Sequence, residues 1–154
     1  MVSIALNGGE HVFTGEFQHT LDGKGRVIIP SRLREGLGDR FMITRGLDHC
    51  LFVYPLSEWT RLEQKLKQLP FTRSESRAFM RLFFSGAMEV EADKQGRVLI
   101  PQNLRDYAKI EKDVMIIGVS NRVEVWSEEA WRNYFGEADN NFEELAEKLV
   151  DFDL

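Results

Sequence analysis

The sequence predicts a mixed α+β fold that contains two copies of one unit. Residues 22–35 and 93–106 are identical at eight of fourteen positions, and both copies read Asp-x-x-Gly-Arg-Val-x-Ile-Pro. Segments with strand-like alternation accompany each copy, and segments with helical spacing lie between and after the copies. A unit of about 45 residues is marginal on its own, so we expect the two copies to share one core.

Each copy is predicted to begin with a strand, at 15–21 (GEFQHTL) and at 87–92 (AMEVEA). An Asp-x-x-Gly turn follows, because the carboxylate accepts hydrogen bonds from backbone N–H groups ahead of it and the glycine supplies a positive φ. The residues expected to shape these turns are Asp22, Gly25, Asp93 and Gly96. We expect a short buried strand next, ended by a proline that cannot donate to a β-ladder.

A short helix and a hairpin complete each copy. Ser31 and Gln102 open the predicted helices RLREGL and NLRDYA. The hairpin pairs FMITRG with LFVYP around the turn at 46–48, and VMIIGVS with RVEVW in the second copy. Open strand edges in so small a unit favour oligomerisation.

Helical segments are predicted between and after the copies. Apolar residues recur at helical spacing from Ser57 to Leu69, and Pro70 stops the pattern. Thr72 and Glu75 form a capping-box pattern ahead of AFMRLFF. We expect the amphipathic helix of the tail to pack on the body or on a neighbouring subunit. Its apolar face consists of Phe142, Leu145, Ala146, Leu149 and Val150.

These elements divide the chain into five predicted segments. They are an extension at 1–12, a first repeat at 16–58, a helical connector at 59–86, a second repeat at 87–130 and an acidic helical tail at 131–154.

The charge is unevenly distributed along the chain. The net charge is −5, but from residue 127 onward there are nine acids and two bases, whereas 61–81 holds six bases and two acids. An acidic tail on a mildly basic body is compatible with an anionic partner. No apolar run approaches the roughly 18–20 residues that a membrane helix needs, and the single cysteine excludes an internal disulfide.

The residues that carry enzymatic or metal chemistry are sparse and scattered. His49 and Cys50 are adjacent, and neighbours in an extended chain point to opposite faces, which is poor geometry for one metal. The Gly-x-Gly at 23–25 lacks the third glycine and the P-loop lysine of nucleotide sites. We therefore predict no catalytic residue, no metal site and no cofactor, and we expect that the protein is not an enzyme.

The arginine that follows each turn glycine is the strongest functional candidate. A turn does not require a guanidinium there, and the planar donor fork suits phosphate or the guanine edge. Arg26 and Arg97 are therefore predicted to bind DNA, and Lys24 and Lys94 add positive charge. The alternative is local: each arginine pairs with the aspartate of its own turn.

The doubled motif, together with FMITRGLDHCLFVYPLSEW, RAFMRLFFSGA and IGVSNRVEVW, resembles the MraZ family from about Phe13 to Leu154. The resemblance implies SpoVT-AbrB-type repeats of swapped-hairpin topology, packed as a pseudo-dimeric, β-barrel-like core with flanking helices. It also implies a ring oligomer that binds direct repeats of double-stranded DNA in its own promoter and regulates the division and cell wall gene cluster. The protein would then be cytoplasmic and nucleoid-associated, with Arg26 and Arg97 on the DNA.

The N-terminus departs from the family pattern. Family members typically begin with methionine, an aromatic residue, any residue and Gly-Glu, whereas here 12–16 reads VFTGE behind eleven extra residues. A valine at that place suggests a GTG start codon, and 8–10 (GGE) can be encoded as a ribosome-binding sequence. We expect 1–11 to be untranslated leader or a disordered extension; the alternative is an N-terminal arm that touches DNA.

Two other functions stay open at this point. In one, the protein is a structural or interaction protein and the arginines make subunit contacts. In the other, it is an AbrB-like antitoxin, although such proteins usually carry one unit and a disordered binding tail, whereas this tail has helical periodicity.

Overall fold

The computed structural model describes residues 4–6 and 10–149. The predicted extension and the predicted tail therefore each lie partly outside the described residues. The strands are β1 (Ile4–Leu6), β2 (Glu10–Val12), β3 (Glu16–Thr20), β4 (Arg26–Ile28), β5 (Arg40–Arg45), β6 (Leu51–Pro55), β7 (Met88–Glu91), β8 (Arg97–Leu99), β9 (Asp113–Val119) and β10 (Arg122–Ser127). The helices are α1 (Ser31–Leu37), α2 (Leu56–Leu66), α3 (Ser74–Ser85), α4 (Gln102–Tyr107), α5 (Glu128–Asn140) and α6 (Phe142–Glu147).

Six strands form one antiparallel sheet in the order β3-β9-β10-β6-β5-β7. Two further pairs stand apart from it, the hairpin β1–β2 and the two-stranded antiparallel ribbon β4–β8. The mixed α and β composition predicted from the sequence is therefore confirmed. The described strands do not close into a barrel, because β3 and β7 each pair with a neighbour on one side only.

The two repeats interlock through their strands. The first strand of repeat one, β3, pairs with β9 of repeat two, and β7 of repeat two pairs with β5 of repeat one. The ribbon also joins the repeats, since Val27 lies opposite Val98. The two halves of the sheet are equivalent. In each half the first strand of one repeat (β3 or β7) pairs with the hairpin of the other repeat (β9–β10 or β5–β6), and β10 and β6 meet at the centre.

The sheet is buried on both faces. Alternate residues of β6 point to opposite sides: Leu51 and Val53 join a cluster beneath β4, β8, α1 and α4, whereas Phe52 and Tyr54 join a cluster beneath α2, α3 and α5. The chain thus forms three layers, with the ribbon and its short helices on one side of the sheet and the longer helices on the other. This arrangement explains why β6 is buried at all of its positions.

The short helices begin where the sequence predicts. Both α1 and α4 start immediately after a proline, at Ser31 and Gln102. A proline fits the start of a helix because the first backbone N–H groups have no partner inside it. In α5 the N-cap is Ser127, whose hydroxyl accepts a hydrogen bond from the Ala130 backbone N–H at 3.0 Å.

Two details of the connector differ from the predictions. Helix α2 ends at Leu66 because the next turn tightens: the N–H groups of Gln68 and Leu69 bond to carbonyls three residues back. The prediction of a capping box at Thr72 is wrong. The N-cap of α3 is Arg73, and the helix start has no side-chain cap.

The strand after each turn is buried on one face only, which corrects the prediction of a buried strand. Val27 and Val98 lie in the core, whereas Ile28 and Leu99 are exposed on the outward face of the ribbon. The reason is that a two-stranded ribbon on the surface of the protein has a covered side and a solvent side, and successive residues alternate between them.

Candidate nucleic-acid interface

The turn before β4 is closed by its own aspartate. Asp22 Oδ1 accepts hydrogen bonds from the backbone N–H groups of Lys24 and Arg26, both at 2.9 Å. Asp22 Oδ2 accepts one from Nε of the Arg26 side chain at 2.8 Å. Gly25 has φ of +81°, a region that an L side chain rarely adopts, and its N–H bonds to the Asp22 carbonyl.

The turn before β8 repeats this geometry. Asp93 Oδ1 accepts from the backbone N–H groups of Gln95 and Arg97 at 2.9 Å, and Oδ2 accepts from Arg97 Nε at 2.7 Å. Gly96 has φ of +79°. The accepting carboxylate and the glycine with positive φ thus occur in both copies with the same hydrogen bonds.

These hydrogen bonds hold both carboxylates in the charged form. The pKa of Asp22 is lowered to about 2, first by the hydrogen bond from the backbone N–H of Arg26 and further by its guanidinium. The pKa of Asp93 is lowered for the same reasons by Arg97. Each arginine therefore faces an ionised aspartate at neutral pH.

The pairing of each arginine with its own aspartate is the local role that the sequence left open. The structure shows that pairing in both copies. The bonds use Nε only, and within the described part of the chain neither Nη nitrogen of Arg26 or Arg97 donates to another residue. The aspartate therefore fixes the direction of the guanidinium, and the two Nη nitrogens keep their donors unused by the described residues; the Arg26 and Arg97 side chains are 29% and 31% exposed.

The ribbon brings the two arginines to one face. Arg26 is paired with Leu99, and Ile28 is paired with Arg97. Residues that are paired across strands, and residues two apart along a strand, lie on the same side of a sheet. The outward face of the ribbon thus carries a diagonal of two arginines beside two exposed apolar side chains.

Each turn is covered by an arginine of the other repeat. A side chain on Gly25 would meet the guanidinium of Arg105 at 2.7 Å, and one on Gly96 would meet that of Arg34. The ends of the ribbon are also tied across repeats, because Ile100 N–H donates to the Gly25 carbonyl at 3.0 Å. One further cation therefore stands next to each turn, Arg105 at the first and Arg34 at the second.

Sequence reasoning missed Arg34 and Arg105 as part of the site. The signal was present, since they occupy equivalent positions and are one of the eight identities between the copies. Lys24 and Lys94 are exposed at the tips of the turns. The two lysines do not occupy equivalent positions. The backbone N–H of Lys24 bonds to Asp22, whereas the equivalent bond to Asp93 comes from the backbone N–H of Gln95.

The remaining candidates for chemistry do not come together. Among the described residues there is no group of three or more histidine, cysteine or acidic side chains that could hold a metal ion. Cys50 is fully buried, its thiol lies 3.2 Å from the Leu47 carbonyl oxygen, and burial raises its pKa, which disfavours the reactive thiolate. Among the described residues no helix combines the length and the apolar character needed to cross a bilayer.

Known proteins resemble this chain over most of its length. The family model described as "MraZ protein, putative antitoxin-like" matches twice, at residues 12–82 and 83–153. A protein of Natranaerobius thermophilus named transcriptional regulator MraZ is 62% identical over 143 residues, which are 93% of this chain and 100% of that protein. A protein of the same name from Pelotomaculum thermopropionicum is 63% identical over 143 residues, which are 93% of this chain and 99% of that protein.

Proposed function

The chain belongs to the MraZ family, and from that premise we propose that it is a transcriptional regulator that binds double-stranded DNA through the β4–β8 ribbon. The observation that carries the proposal is the outward face of this ribbon, where Arg26 and Arg97 are each aimed by an aspartate and keep their Nη nitrogens open.

The dimensions of a two-stranded ribbon suit the major groove of B-DNA, which admits an α-helix or a β-ribbon. In that position the open edge of each guanidinium can donate to guanine O6 and N7 or to phosphate oxygens. Ile28 and Leu99, both exposed on the same face, supply apolar contact of the kind that thymine methyl groups take. A guanidinium already fixed by its aspartate loses less conformational entropy on binding.

The charge around the ribbon supports an anionic partner in spite of the net charge. Each aspartate offsets one arginine, but Lys24 and Lys94 stand at the turns, and Arg34 and Arg105 lie over the turn glycines. The basic groups of this surface therefore outnumber its acids. Binding should be strongly salt-dependent, because each neutralised phosphate contributes a slope of about −0.9 in log K against log salt.

We further propose that the interlocked repeats are a pseudo-dimer of SpoVT-AbrB-type swapped hairpins and that several chains form a ring. One ribbon offers few contacts, whereas linked ribbons raise avidity by roughly 10²–10⁴ when their spacing matches the DNA. Rotationally repeated subunits suit direct repeats, since an isologous dimer favours palindromes. The targets would be direct repeats in the protein's own promoter and the division and cell wall genes, with the protein in the cytoplasm on the nucleoid.

The test is binding of the purified protein to duplex DNA from upstream of its own gene. We expect Arg26→Ala and Arg97→Ala each to weaken binding by about 1–3 kcal/mol and the double variant to weaken it more, with native mass unchanged. Arg132→Ala is the matched control, because Arg132 is an exposed, ion-paired arginine on α5, on the opposite face of the sheet. Fluorescence anisotropy at several salt concentrations measures the DNA affinity of the wild type and of these four variants.

Two outcomes would contradict this function. Unchanged affinity in both single variants and in the double variant would show that the ribbon does not contact the DNA. If the same variants instead form smaller oligomers than the wild type, the alternative in which the arginines make subunit contacts is favoured. The antitoxin alternative predicts tight binding to a protein partner and no salt-dependent binding to the upstream DNA.

A further inference from the structure

A cavity of about 380 Å³ lies where strand β2, helix α2 and the turn between β9 and β10 meet. Its volume falls within the range of small-molecule sites, which runs from about 300 to 1,000 Å³. The described residues that line it include none of the β4–β8 ribbon and none of the two turns before it. The cavity is therefore separate from the proposed DNA-binding surface.

The wall of this cavity is mainly basic. Arg61 and Lys65 line it from α2, and Arg122 lines it from β10, whereas Glu58 is the one acid among the described lining residues. Glu58 forms an ion pair with Arg61, with 3.3 Å between Oε1 and Nη1. Since three cations face one acid, the cavity attracts anions, because clefts lined mostly by one sign of charge raise the local concentration of counter-ions.

Arg122 is held in place from behind. Its Nε donates to Glu124 Oε2 at 2.8 Å, and its Nη2 lies 2.7 Å from the same oxygen. The guanidinium also lies over the ring of Phe52, 4.4 Å from the centroid. Within the described part of the chain its Nη1 donates to no other group, so this nitrogen remains for a ligand. Even when the buried carboxylate of Glu124 is counted, the cations around the cavity outnumber the acids.

Two further groups of the wall can bond to a ligand. Tyr54 is buried, and burial raises its pKa to about 12, so the hydroxyl keeps its proton at neutral pH and can donate. His11 Nδ1 is buried and has no hydrogen-bond partner among the described residues. Buried polar atoms normally have such a partner. A ligand oxygen in the cavity would supply one for His11.

We propose that this cavity binds the phosphate group of a small anion. A phosphate group carries up to two negative charges and three acceptor oxygens, which suits several cations with uncharged donors beside them. The cavity has the volume of about a dozen water molecules at about 30 Å³ each, more than the five heavy atoms of a phosphate group need. Val12 and Leu62 supply apolar wall for the rest of a phosphorylated organic molecule.

A ligand in this cavity would join two parts of the chain. Phe13, which follows β2, exchanges backbone hydrogen bonds with Ser120 at 2.7 and 3.0 Å, so β2 is fixed beside the β9–β10 turn. Arg61 and Lys65 belong to α2 instead. Contacts to His11 on one side and to α2 on the other would therefore stabilise β2 on the body of the protein. This site goes beyond the proposed function, because it does not require DNA.

The test is calorimetric titration of the full chain with ribose 5-phosphate, inorganic phosphate and ribose. The wild type should bind both phosphate compounds and not ribose. Lys65→Gln should weaken the binding of ribose 5-phosphate by about 5- to 10-fold, because the lost hydrogen bond is charge-assisted but partly solvated. Lys67→Gln is the matched control and should bind like the wild type. Lys67 is also exposed at the end of α2, but it pairs with Glu63 and does not line the cavity.

A second variant tests the other side of the cavity. His11→Ala removes the buried Nδ1 and should also weaken the binding of ribose 5-phosphate. Lys65→Gln decides the matter if His11→Ala does not fold, which far-ultraviolet circular dichroism checks. Tighter binding of ribose 5-phosphate than of inorganic phosphate would identify a phosphorylated organic molecule as the occupant, and equal affinities would identify free phosphate. Both results support the site.

Three outcomes would overturn the proposal. The first is that the wild type binds neither phosphate compound, and the second is that Lys67→Gln loses as much affinity as Lys65→Gln. The third is that Lys65→Gln weakens the binding of duplex DNA by the same factor as that of ribose 5-phosphate, which would assign the cavity to a DNA phosphate. The Arg26→Ala and Arg97→Ala variants should bind ribose 5-phosphate like the wild type, so failure of the DNA-binding proposal is distinguishable.

Discussion

In the first repeat the turn at 22–26 lies beneath Arg105, whose Nε donates to the Ile100 carbonyl at 2.9 Å. In the second repeat the turn at 93–97 lies beneath Arg34, whose buried Nε has no hydrogen-bond partner among the described residues. The bonds within the two turns nevertheless agree to about 0.1 Å. The bonds within the turn therefore do not depend on whether the covering arginine is hydrogen-bonded at Nε, and we expect the covering arginine to affect only the stability of the turn.

Of the changes that compare the two turns, a side chain at either turn glycine should lower the free energy of unfolding the most. Gly25→Ala and Gly96→Ala each place a Cβ at positive φ, which costs about 1–3 kcal/mol. Gly25→Ala should cost about 1 kcal/mol more, because Arg105 must move and lose its hydrogen bond, whereas Arg34 has no bond at Nε to lose. Chemical denaturation measures both.

Gly23→Ala is the matched control for the glycine variants. A Cβ at Gly23 would meet nothing within 4 Å and its φ is not positive, although it lies in the same turn. It should leave stability nearly unchanged. Equal losses for Gly25→Ala and Gly96→Ala would show that the covering arginines hold both turns alike.

How much of this site follows from the sequence depends on the range of each interaction. The turn geometry was predictable, because Asp22 and Gly25 act within five residues of chain. The pairing of Val27 with Val98 was not, since alternation and apolar character do not name the partner strand. Ile28 is exposed because that pairing forms a ribbon on the surface of the protein. Without knowledge of the pairing, the apolar run at 27–29 predicts a fully buried strand.

The position of the covering arginines could not be predicted from the sequence for a related reason. Arg34 and Arg105 reach the turn of the other repeat, and a repeated residue does not indicate whether its contact lies within its own copy or across the pair. The same limit applies to the tail. Helical spacing identified its apolar face, but not whether its own chain would cover that face.

A smaller effect is expected from the turn carboxylates. In Asp22→Asn the amide oxygen can still accept from the backbone N–H groups, but its NH₂ replaces the oxygen that bonds Arg26 Nε. The pKa of Asp22 lies below its ordinary value of 3.8, at about 2, so the charged form stabilises the fold above about pH 4 and this contribution is lost as the pH falls towards 2. The variant should therefore have a lower Tm at pH 7.

The pH series decides whether the two turns behave alike. We expect the Tm difference between wild type and Asp22→Asn to narrow as the pH falls below 4, and Asp93→Asn to follow the same course, since the same bonds lower the pKa of Asp93. Thermal unfolding followed by circular dichroism from pH 7 to pH 3 measures it. A constant difference over that range for either variant would rule out the carboxylate charge as the cause.

The smallest effect concerns the third residue of each turn, which is Lys24 in the first turn and Gln95 in the second. The backbone N–H that closes the first turn belongs to Lys24, and its equivalent in the second turn belongs to Gln95. If Lys24 contacts a phosphate, Lys24→Gln should reduce the salt slope of DNA binding by about 1, and Gln95→Lys should increase it by a similar amount. Neither change should affect stability, because both side chains are exposed.

The double variant, Lys24→Gln with Gln95→Lys, separates charge from position. If the two turns meet the DNA backbone in the same way, moving the lysine from one turn to the other restores the wild-type slope, because the number of neutralised phosphates is unchanged. A slope that stays low in the double variant would place only the first turn against a phosphate. The two turns would then share their internal geometry but not their position on the DNA, and only the first lysine would count towards affinity.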